Sequence, residues 1–320
     1  MIYTGSHRKL GADMTARTLL IACFMALATF AHAETLRVGP GEKIVRIAEA
    51  ARLARDGDTV EILPGEYRGD VAVWHQKALT IRGIGPRPVL VAAGRSAESK
   101  AIWVIRNGDF LIENIEFRGA RVPGGNGAGI RFERGRLVLR HAAFIDNQMG
   151  ILTGNDPDSE LVIEHSRFAD APRQMPALPH QLYVGRIHRF AIGGSRFENG
   201  FRGHLVKSRA RYNLIRDNHI VDGPDGEASY EIDLPNGGIA DIVGNVIGQS
   251  ANTRNPVLIS YGAEGEVWPD NALTLEHNTL ISDHLPLGWF LRVHGDKFPA
   301  PPTLRVDNNR TIGIGIFTTD

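Results

Sequence analysis

The segment Leu111-Ile112-Glu113-Asn114-Ile115-Glu116-Phe117 decides the fold, because variants of it recur along the chain. Each variant is a short run of apolar and polar residues, with Asn, Asp, Gly or His shortly before a final, mostly apolar anchor residue. The anchors after Phe117 are Phe144, Phe168, Phe197, Ile220, Ile247, Leu280 and Thr311. Their successive spacings of 27, 24, 29, 23, 27, 33 and 31 residues fall in the range that indicates a solenoid of stacked repeats.

Several short runs with a period of two fit within each repeat, which favours strands and excludes a helical solenoid. We therefore predict an all-β fold, a single-stranded right-handed parallel β-helix of about ten coils. Its anchors should stack from coil to coil at the ~4.8 Å spacing of neighbouring strands and fill the interior. The Asn, Asp, Gly and His residues before the anchors suit tight bends with left-handed backbone geometry. An ordinary β-sandwich is the alternative fold.

The stretch 43–55 carries a helical pattern ahead of the repeats. It places Ile44, Ile47, Ala48 and Ala51 on one face. We predict an amphipathic α-helix here, which serves as the N-terminal cap of the solenoid and hides the open strand edge of the first coil.

The N-terminus has the pattern of a secretory signal peptide. Arg17 precedes an apolar stretch, Leu19–Phe30, and Ala31-His32-Ala33 is a small-x-small cleavage pattern. About twelve apolar residues are too few to span a ~30 Å hydrocarbon core. The sequence therefore predicts a leader over 1–33, a β-helix domain over 34–320, no transmembrane segment in the mature chain, and a periplasmic or secreted location. A lipoprotein signal at Cys23 is the alternative.

Composition narrows the possible partners. The 320 residues include 36 Lys and Arg against 36 Asp and Glu, and zero net charge without a basic run argues against a nucleic-acid partner. A single cysteine excludes a disulfide scaffold and a Cys-rich zinc site. The expected assembly state is a monomer.

The chain resembles the pectin-lyase-like superfamily of right-handed parallel β-helix proteins. The resemblance rests on the phrase Gly57–Tyr67 (GDTVEILPGEY), on Leu79–Gly83 (LTIRG) and on the repeats, and it covers roughly residues 35–315. It implies an extracellular polysaccharide lyase, hydrolase or epimerase, or a protein that only binds glycans. Because one fold supports many chemistries, the choice among these depends on the site.

Polar residues concentrate on three consecutive coils, over residues 179–186, 202–209 and 229–236. Local spacings of 23 and 27 residues predict two columns of side chains across these coils, with Gln181, His204 and Glu231 in the first and Arg186, Arg209 and Asn236 in the second. Such columns would form a shallow polar groove along the solenoid, a shape that suits an extended polysaccharide.

β-Elimination on a uronate polymer needs a cation against the carboxylate, a base for the proton on the adjacent carbon and an acid for the leaving oxygen. Lys207 is the candidate base, because burial beside Arg209 favours its neutral amine. Arg209 or Arg186 is the candidate residue that binds the uronate carboxylate. The candidate acids are Tyr183, Tyr230, His180 and His204. The predicted substrate-binding residues are His180, Arg186, Glu231, Asp233 and Asn236.

The pair Lys207-Ser208 also resembles the Lys-Ser pair of the chondroitinase-B and alginate-lyase family, in which such a lysine is the base. That family has an arginine on the following coil, where this chain has Asp233 and Asn236. The resemblance therefore assigns a role to Lys207 alone.

Two other chemistries use the acidic residues of the third coil. Glu231 and Asp233, two apart on a strand, would have Cα atoms roughly 6.5–7 Å apart and could act as the carboxyl pair of an inverting glycoside hydrolase. With Asn236, the same carboxylates could hold Ca²⁺ through oxygen ligands. A non-catalytic glycan-binding or envelope protein is the third alternative.

Overall fold

The computed structural model describes residues 1, 2, 5, 33–174, 178–253, 255–284 and 287–319. All but a few residues of the predicted leader over 1–33 therefore lie outside the described part of the chain. In the compact unit Ala33–Asp320, the regular secondary structure is almost entirely strand. Its described residues include one α-helix, α1 (Ile47–Leu53), and one 3₁₀ helix, Gly295–Lys297.

The strands of the described residues form three parallel sheets, in which neighbouring strands belong to successive turns of the chain. The first sheet contains β1 (Thr35–Val38), β2 (Thr59–Ile62), β5 (Ala78–Gly83), β8 (Asp109–Glu113), β11 (Arg136–Arg140), β14 (Glu160–Glu164), β17 (Arg189–Gly193), β20 (Tyr212–Arg216), β23 (Ile239–Val243), β26 (Ala272–Glu276) and β29 (Thr303–Asp307). The second contains β3 (Glu66–Arg68), β6 (Val89–Val91), β9 (Glu116–Arg118), β12 (Ala143–Ile145), β15 (Arg167–Ala169), β18 (Arg196–Glu198), β21 (His219–Val221), β24 (Val246–Gln249), β27 (Thr279–Ser282) and β30 (Arg310–Gly313). The third contains β4 (Ala72–Trp74), β7 (Ala101–Ile105), β10 (Ala128–Phe132), β13 (Met149–Thr153), β16 (Leu182–Val184), β19 (Val206–Ser208), β22 (Ile232–Leu234), β25 (Val257–Tyr261), β28 (Gly288–Val293) and β31 (Gly315–Thr319).

Three consecutive strands, one from each sheet, make one coil, so that β2, β3 and β4 form the first of ten coils and β29, β30 and β31 the last. The anchor residues predicted from the repeat pair directly from coil to coil, from Phe117 with Phe144 through to Leu280 with Thr311. The all-β solenoid is therefore confirmed, and the parallel pairing excludes the β-sandwich, whose sheets are antiparallel. The right-handed sense of the coil and the capping role of the helix stay predictions.

The apolar anchors fill the interior, as the repeat predicts. The rings of Phe117, Phe144, Phe168 and Phe197 stack in series, with centroid distances of 5.2, 4.8 and 4.6 Å. All four side chains are almost completely buried. Stacked pairs of this kind stabilise a core by more than their buried area alone, so the anchor column is a main source of cohesion between coils.

The bends before the anchors adopt the predicted left-handed geometry. The residue three positions before each anchor has a φ between 49° and 72°, and these residues are Asn114, His141, His165, Gly194, Asp217, Gly244, His277 and Asn308. One position later, Asn218, Asn245, Asn278 and Asn309 form a ladder in which each Nδ2 donates to the Oδ1 of the next at 3.0 Å. The ladder satisfies buried polar groups at the bend and fixes the coils in register.

Helix α1 is shorter than the predicted stretch 43–55. The Asp70 carboxylate accepts hydrogen bonds from the amides of Ile47, at 2.6 Å, and Ala48, at 3.0 Å. Because the first amides of a helix lack partners within it, this acceptor from a distant part of the chain sets where α1 begins. Ile47, Ala50 and Ala51 are buried in the core. In the described part of the chain, no helix has the length and apolar character needed to cross a membrane.

Candidate functional site

The third sheet brings three of the predicted site residues into one column. Strands β16, β19 and β22 pair so that Tyr183 lies beside Lys207, and Lys207 beside Asp233. The residue before each of them belongs to the hydrophobic core. Since successive residues of a strand face opposite sides, all three side chains point away from the interior. Ser260 continues the column on the next coil.

A second column of three rings lies three residues before the first. The ring centroids of His180 and His204 are 4.7 Å apart, and those of His204 and Tyr230 are also 4.7 Å apart. The amide of His204 donates to Nδ1 of His180 at 2.9 Å, and the amide of Tyr230 donates to Nδ1 of His204 at 3.2 Å. Each Nδ1 is therefore an acceptor, which leaves the proton of the neutral ring on Nε2.

The two histidines are held in their neutral form. Burial, together with the nearby Lys207 and Arg209, lowers the pKa of His180 to about 3. Burial and the same cations, with His180 itself, lower the pKa of His204 well below its ordinary value. At neutral pH both rings are hydrogen-bond donors through Nε2, and neither is an acid in its charged form.

The predicted column of Gln181, His204 and Glu231 is off by one residue at its middle member: Gln181 and Glu231 align, but Leu205 stands between them in place of His204. Leu182 pairs with Val206 and Val206 with Ile232, spacings of 24 and 26 residues where 23 and 27 were expected. The expected spacings came from the anchors of the second sheet, but the connections from the second sheet to the third differ in length from coil to coil. Since side chains alternate between faces, a slip of one residue changes the side on which each lies.

Lys207 and Arg209 form a fork that holds one carboxylate. The Lys207 ammonium lies 2.7 Å from Oε1 of Glu264, and the Arg209 guanidinium lies 2.5 Å from Oε2 of the same side chain. Burial alone raises the pKa of Glu264, but hydrogen bonds and charge from the two cations outweigh it and hold that pKa below its usual value. Sequence reasoning missed Glu264, because it lies on the connection between β25 and β26 and follows no repeated position.

Arg209 connects the fork to two more predicted site residues. Its Nε donates to the hydroxyl oxygen of Tyr183 at 2.9 Å, and its Nη1 donates to Oδ1 of Asn236 at 2.7 Å. The guanidinium therefore has three partners in a fixed geometry, which suits a group that must grip a planar carboxylate. Of the predicted column of Arg186, Arg209 and Asn236, the structure therefore brings Arg209 and Asn236 into direct contact.

Asp233 is the buried counter-ion of Lys207. Its Oδ2 lies 3.2 Å from the Lys207 ammonium and 3.5 Å from Nε2 of His204, and the residue is 2% exposed. Burial raises the pKa of Asp233 to about 6, although the charge of Lys207 works in the opposite direction. Lys207 itself is 7% exposed. The deep part of the site is therefore closed to solvent, whereas the sequence predicted a shallow groove.

Glu231 does not belong to this site. It is fully buried, neither carboxylate oxygen has a hydrogen-bond partner among the described residues, and the charge that acts on it is that of Asp222. Extending the pairing of β19 and β22 back by one residue places Glu231 opposite Leu205, which belongs to the hydrophobic core. The predicted carboxyl pair of Glu231 and Asp233, and a substrate-binding role for Glu231, are therefore corrected: at the bend before β22 this side chain points inward.

Arg186 holds the 262–271 loop, which connects β25 to β26, and is not part of the fork. Its guanidinium donates to the carbonyl oxygen of Glu266 at 2.8 Å and stacks 4.3 Å from the ring of Trp268. Asn236 donates to the carbonyl oxygen of Gly265 at 2.7 Å from the other side. These contacts keep the loop beside Lys207 and Arg209.

The proposed calcium ligands do not converge. Glu231 lies in the interior, and Oδ1 of Asn236 accepts a hydrogen bond from Arg209. In the parts of the chain that the structure describes, no group of three or more His, Cys, Asp or Glu side chains could hold a metal ion.

Comparisons with protein-family models, curated proteins and solved structures gave no match for this chain.

Proposed function

We propose that the protein is a polysaccharide lyase that cleaves an acidic, uronate-containing polymer by β-elimination. The observation that carries the proposal is the fork of Lys207 and Arg209, which holds the carboxylate of Glu264. A uronate ring offers a carboxylate of the same charge. A stacked solenoid presents equivalent positions in a row along one face, which suits an extended chain of sugars. The resemblance to the pectin-lyase-like superfamily supports the same class of substrate.

Arg209 grips the uronate carboxylate and balances the negative charge that grows there as the adjacent carbon loses its proton. Lys207 accepts that proton as a neutral amine. Asp233, 3.2 Å away, provides an acceptor for the ammonium proton that Lys207 must first release. A carboxylate with a pKa of about 6 accepts a proton more readily than an ordinary aspartate does.

Tyr183 is the acid in this proposal. Its oxygen accepts a hydrogen bond from Arg209, so its own proton can pass to the leaving glycosidic oxygen. The cation also stabilises the negative charge that develops on the phenol oxygen as the proton leaves. The carbon–oxygen bond breaks, a carbon–carbon double bond forms in the uronate ring, and the released sugar gains the proton of Tyr183. His204 and Tyr230 are then groove-lining residues, as is His180.

The mature protein is proposed to act as a monomer in the periplasm or outside the cell. The support is the signal-peptide pattern that ends at Ala33 and the extracellular setting of the superfamily that the chain resembles.

The proposal is tested by incubating the purified protein with a panel of uronate-containing polymers and with neutral polysaccharides. We expect ultraviolet absorbance from unsaturated uronate ends with at least one acidic polymer and none with neutral ones. New reducing ends without that absorbance would identify a hydrolase, and binding without chain shortening would identify a glycan-binding protein.

The pH dependence of elimination should report on Asp233. Because only the ionised carboxylate can pair with Lys207 and take up its proton, kcat/KM should fall about tenfold per pH unit below pH 6. In Asp233→Asn the residual activity should lose this limb, while Asp241→Asn, on the first sheet, should keep it. An unchanged acidic limb in Asp233→Asn would remove Asp233 from the mechanism.

A further inference from the structure

The Glu264 carboxylate stands where the proposed function requires a substrate carboxylate to bind. Both of its oxygens are on the fork, one on each cation. Asp233 is a different kind of partner, since it is 2% exposed and lies on a strand of the sheet. Lys207 therefore has one fixed counter-ion beside it, on the neighbouring strand, and a second counter-ion on the loop between β25 and β26.

The charges of the site balance only when Glu264 is in place. Lys207 and Arg209 carry two positive charges, Asp233 and Glu264 carry two negative ones, and the histidines are neutral. Removal of Glu264 leaves one net positive charge on side chains that are largely buried. An uncompensated charge in such a place is costly, so something of equal negative charge must replace the carboxylate. A uronate does this and a neutral sugar does not.

Glu264 can leave without unfolding the groove. Its side chain is 44% exposed, whereas the neighbouring loop is held separately by Arg186, Asn236 and Trp268. Rotation of the Glu264 side chain toward solvent would therefore empty the fork and keep the backbone contacts of the 262–271 loop. Glu264, the side chain that must move, is accessible to solvent, whereas Lys207 and Asp233, which must stay in place, are buried.

We propose that Glu264 is a specificity-determining residue that occupies the carboxylate subsite of the groove until an acidic sugar displaces it. The inference rests on the proposed function only in that the groove takes a uronate. In the free protein Glu264 occupies the fork, and only a ligand with a negative charge of its own can take its place. Its carboxylate competes with the ligand, so its removal should strengthen the binding of acidic sugars.

The test compares Glu264→Gln and Glu264→Ala with the unchanged protein, using sodium glucuronate as probe and glucose as neutral reference. We expect the Kd for glucuronate to fall at least tenfold in both variants, with no gain for glucose. Glu266→Gln is the matched control, because it removes the same charge from the same loop, and in the described part of the chain the Glu266 carboxylate has no ion pair. Calorimetric titration gives the Kd values, and melting curves show that each variant is folded.

The outcomes separate this inference from the proposed activity. Tighter glucuronate binding without elimination on any polymer would support the role of Glu264 and overturn the lyase. Elimination by the unchanged protein, with the same KM in Glu264→Gln and no gain in glucuronate affinity, would support the lyase and overturn the role of Glu264. An equal gain in Glu266→Gln would also overturn it, because the effect would then come from loop charge alone.

Discussion

Replacing Lys207 by alanine is expected to lower the rate of elimination by a factor of about 10³, within the range found for loss of a general base. The substitution removes the amine that accepts the proton, but it leaves Tyr183 and Arg209 in contact with each other. Asp233 loses its main positive partner, and the pKa of this buried carboxyl should rise further, so that it is held neutral and adds little strain to the fold. The measurement is kcat on the best polymer of the panel, together with the melting temperature.

Lys207→Arg is the informative companion to this variant. It keeps the positive charge beside Asp233 but replaces the amine by a group that is not deprotonated in proteins. We expect an activity loss similar to that of the alanine variant, with polymer binding retained. Activity close to that of the unchanged protein would contradict the assignment of Lys207 as the base and reduce it to a cation. Lys43→Ala is the control, because Lys43 is exposed and lies before the first coil, and this substitution should leave kcat unchanged.

The repeat made the fold predictable because its signal is local and redundant. Each bend needs a residue that tolerates left-handed backbone geometry, and each anchor position needs an apolar side chain. Asn114 and Phe117 meet these two requirements in one coil, and His141 and Phe144 meet them in the next. Eight copies of one requirement allow the coils to be aligned without knowledge of the turns between them. Helix α1 lacked this redundancy, and its start depended on Asp70, which no local pattern indicated.

The candidate site was predictable only in part, for a physical reason. Lys207, Arg209, Tyr183 and Asp233 do come together, because strands of the third sheet stack in a row. The exact register depended on connections of variable length, which displaced His204 from its predicted column. Glu231 was placed on the wrong side because the alternation of side chains breaks at the bend before β22. Glu264 reaches the site from a loop two coils after Lys207, and such a contact leaves no spacing in the sequence.

Replacing Glu231 by leucine is expected to stabilise the protein by about 2 kcal/mol or more at pH 8, the scale of an unpartnered buried polar group. The carboxyl is completely buried without a hydrogen-bond partner among the described residues. The register of the third sheet places Leu205 and Leu258 opposite Glu231 on the preceding and following coils. A leucine at position 231 would therefore pack against two buried leucine side chains. In a domain of this size the melting temperature should rise by about 3 °C or more.

The gain should grow with pH, and the sign follows from the pKa. Burial, with the charge of Asp222, raises the pKa of Glu231 well above its ordinary value. Above about pH 4.3, where an unfolded glutamate ionises, the folded chain holds a proton that the unfolded chain releases, so stability falls as the pH rises toward the folded pKa. Leucine removes this loss, and the difference in unfolding free energy from the unchanged protein should be larger at pH 8 than at pH 5.

Glu231→Gln separates the effect of ionisation from the effect of unpaired polar atoms, because it removes the ionisation and keeps unpaired polar atoms. The pH dependence of its stability should match that of the leucine variant, while its stability should stay lower. A leucine variant less stable than the unchanged protein at pH 8 would mean that the carboxylate has a partner inside the solenoid, and the assignment of Glu231 to the hydrophobic interior would then be wrong.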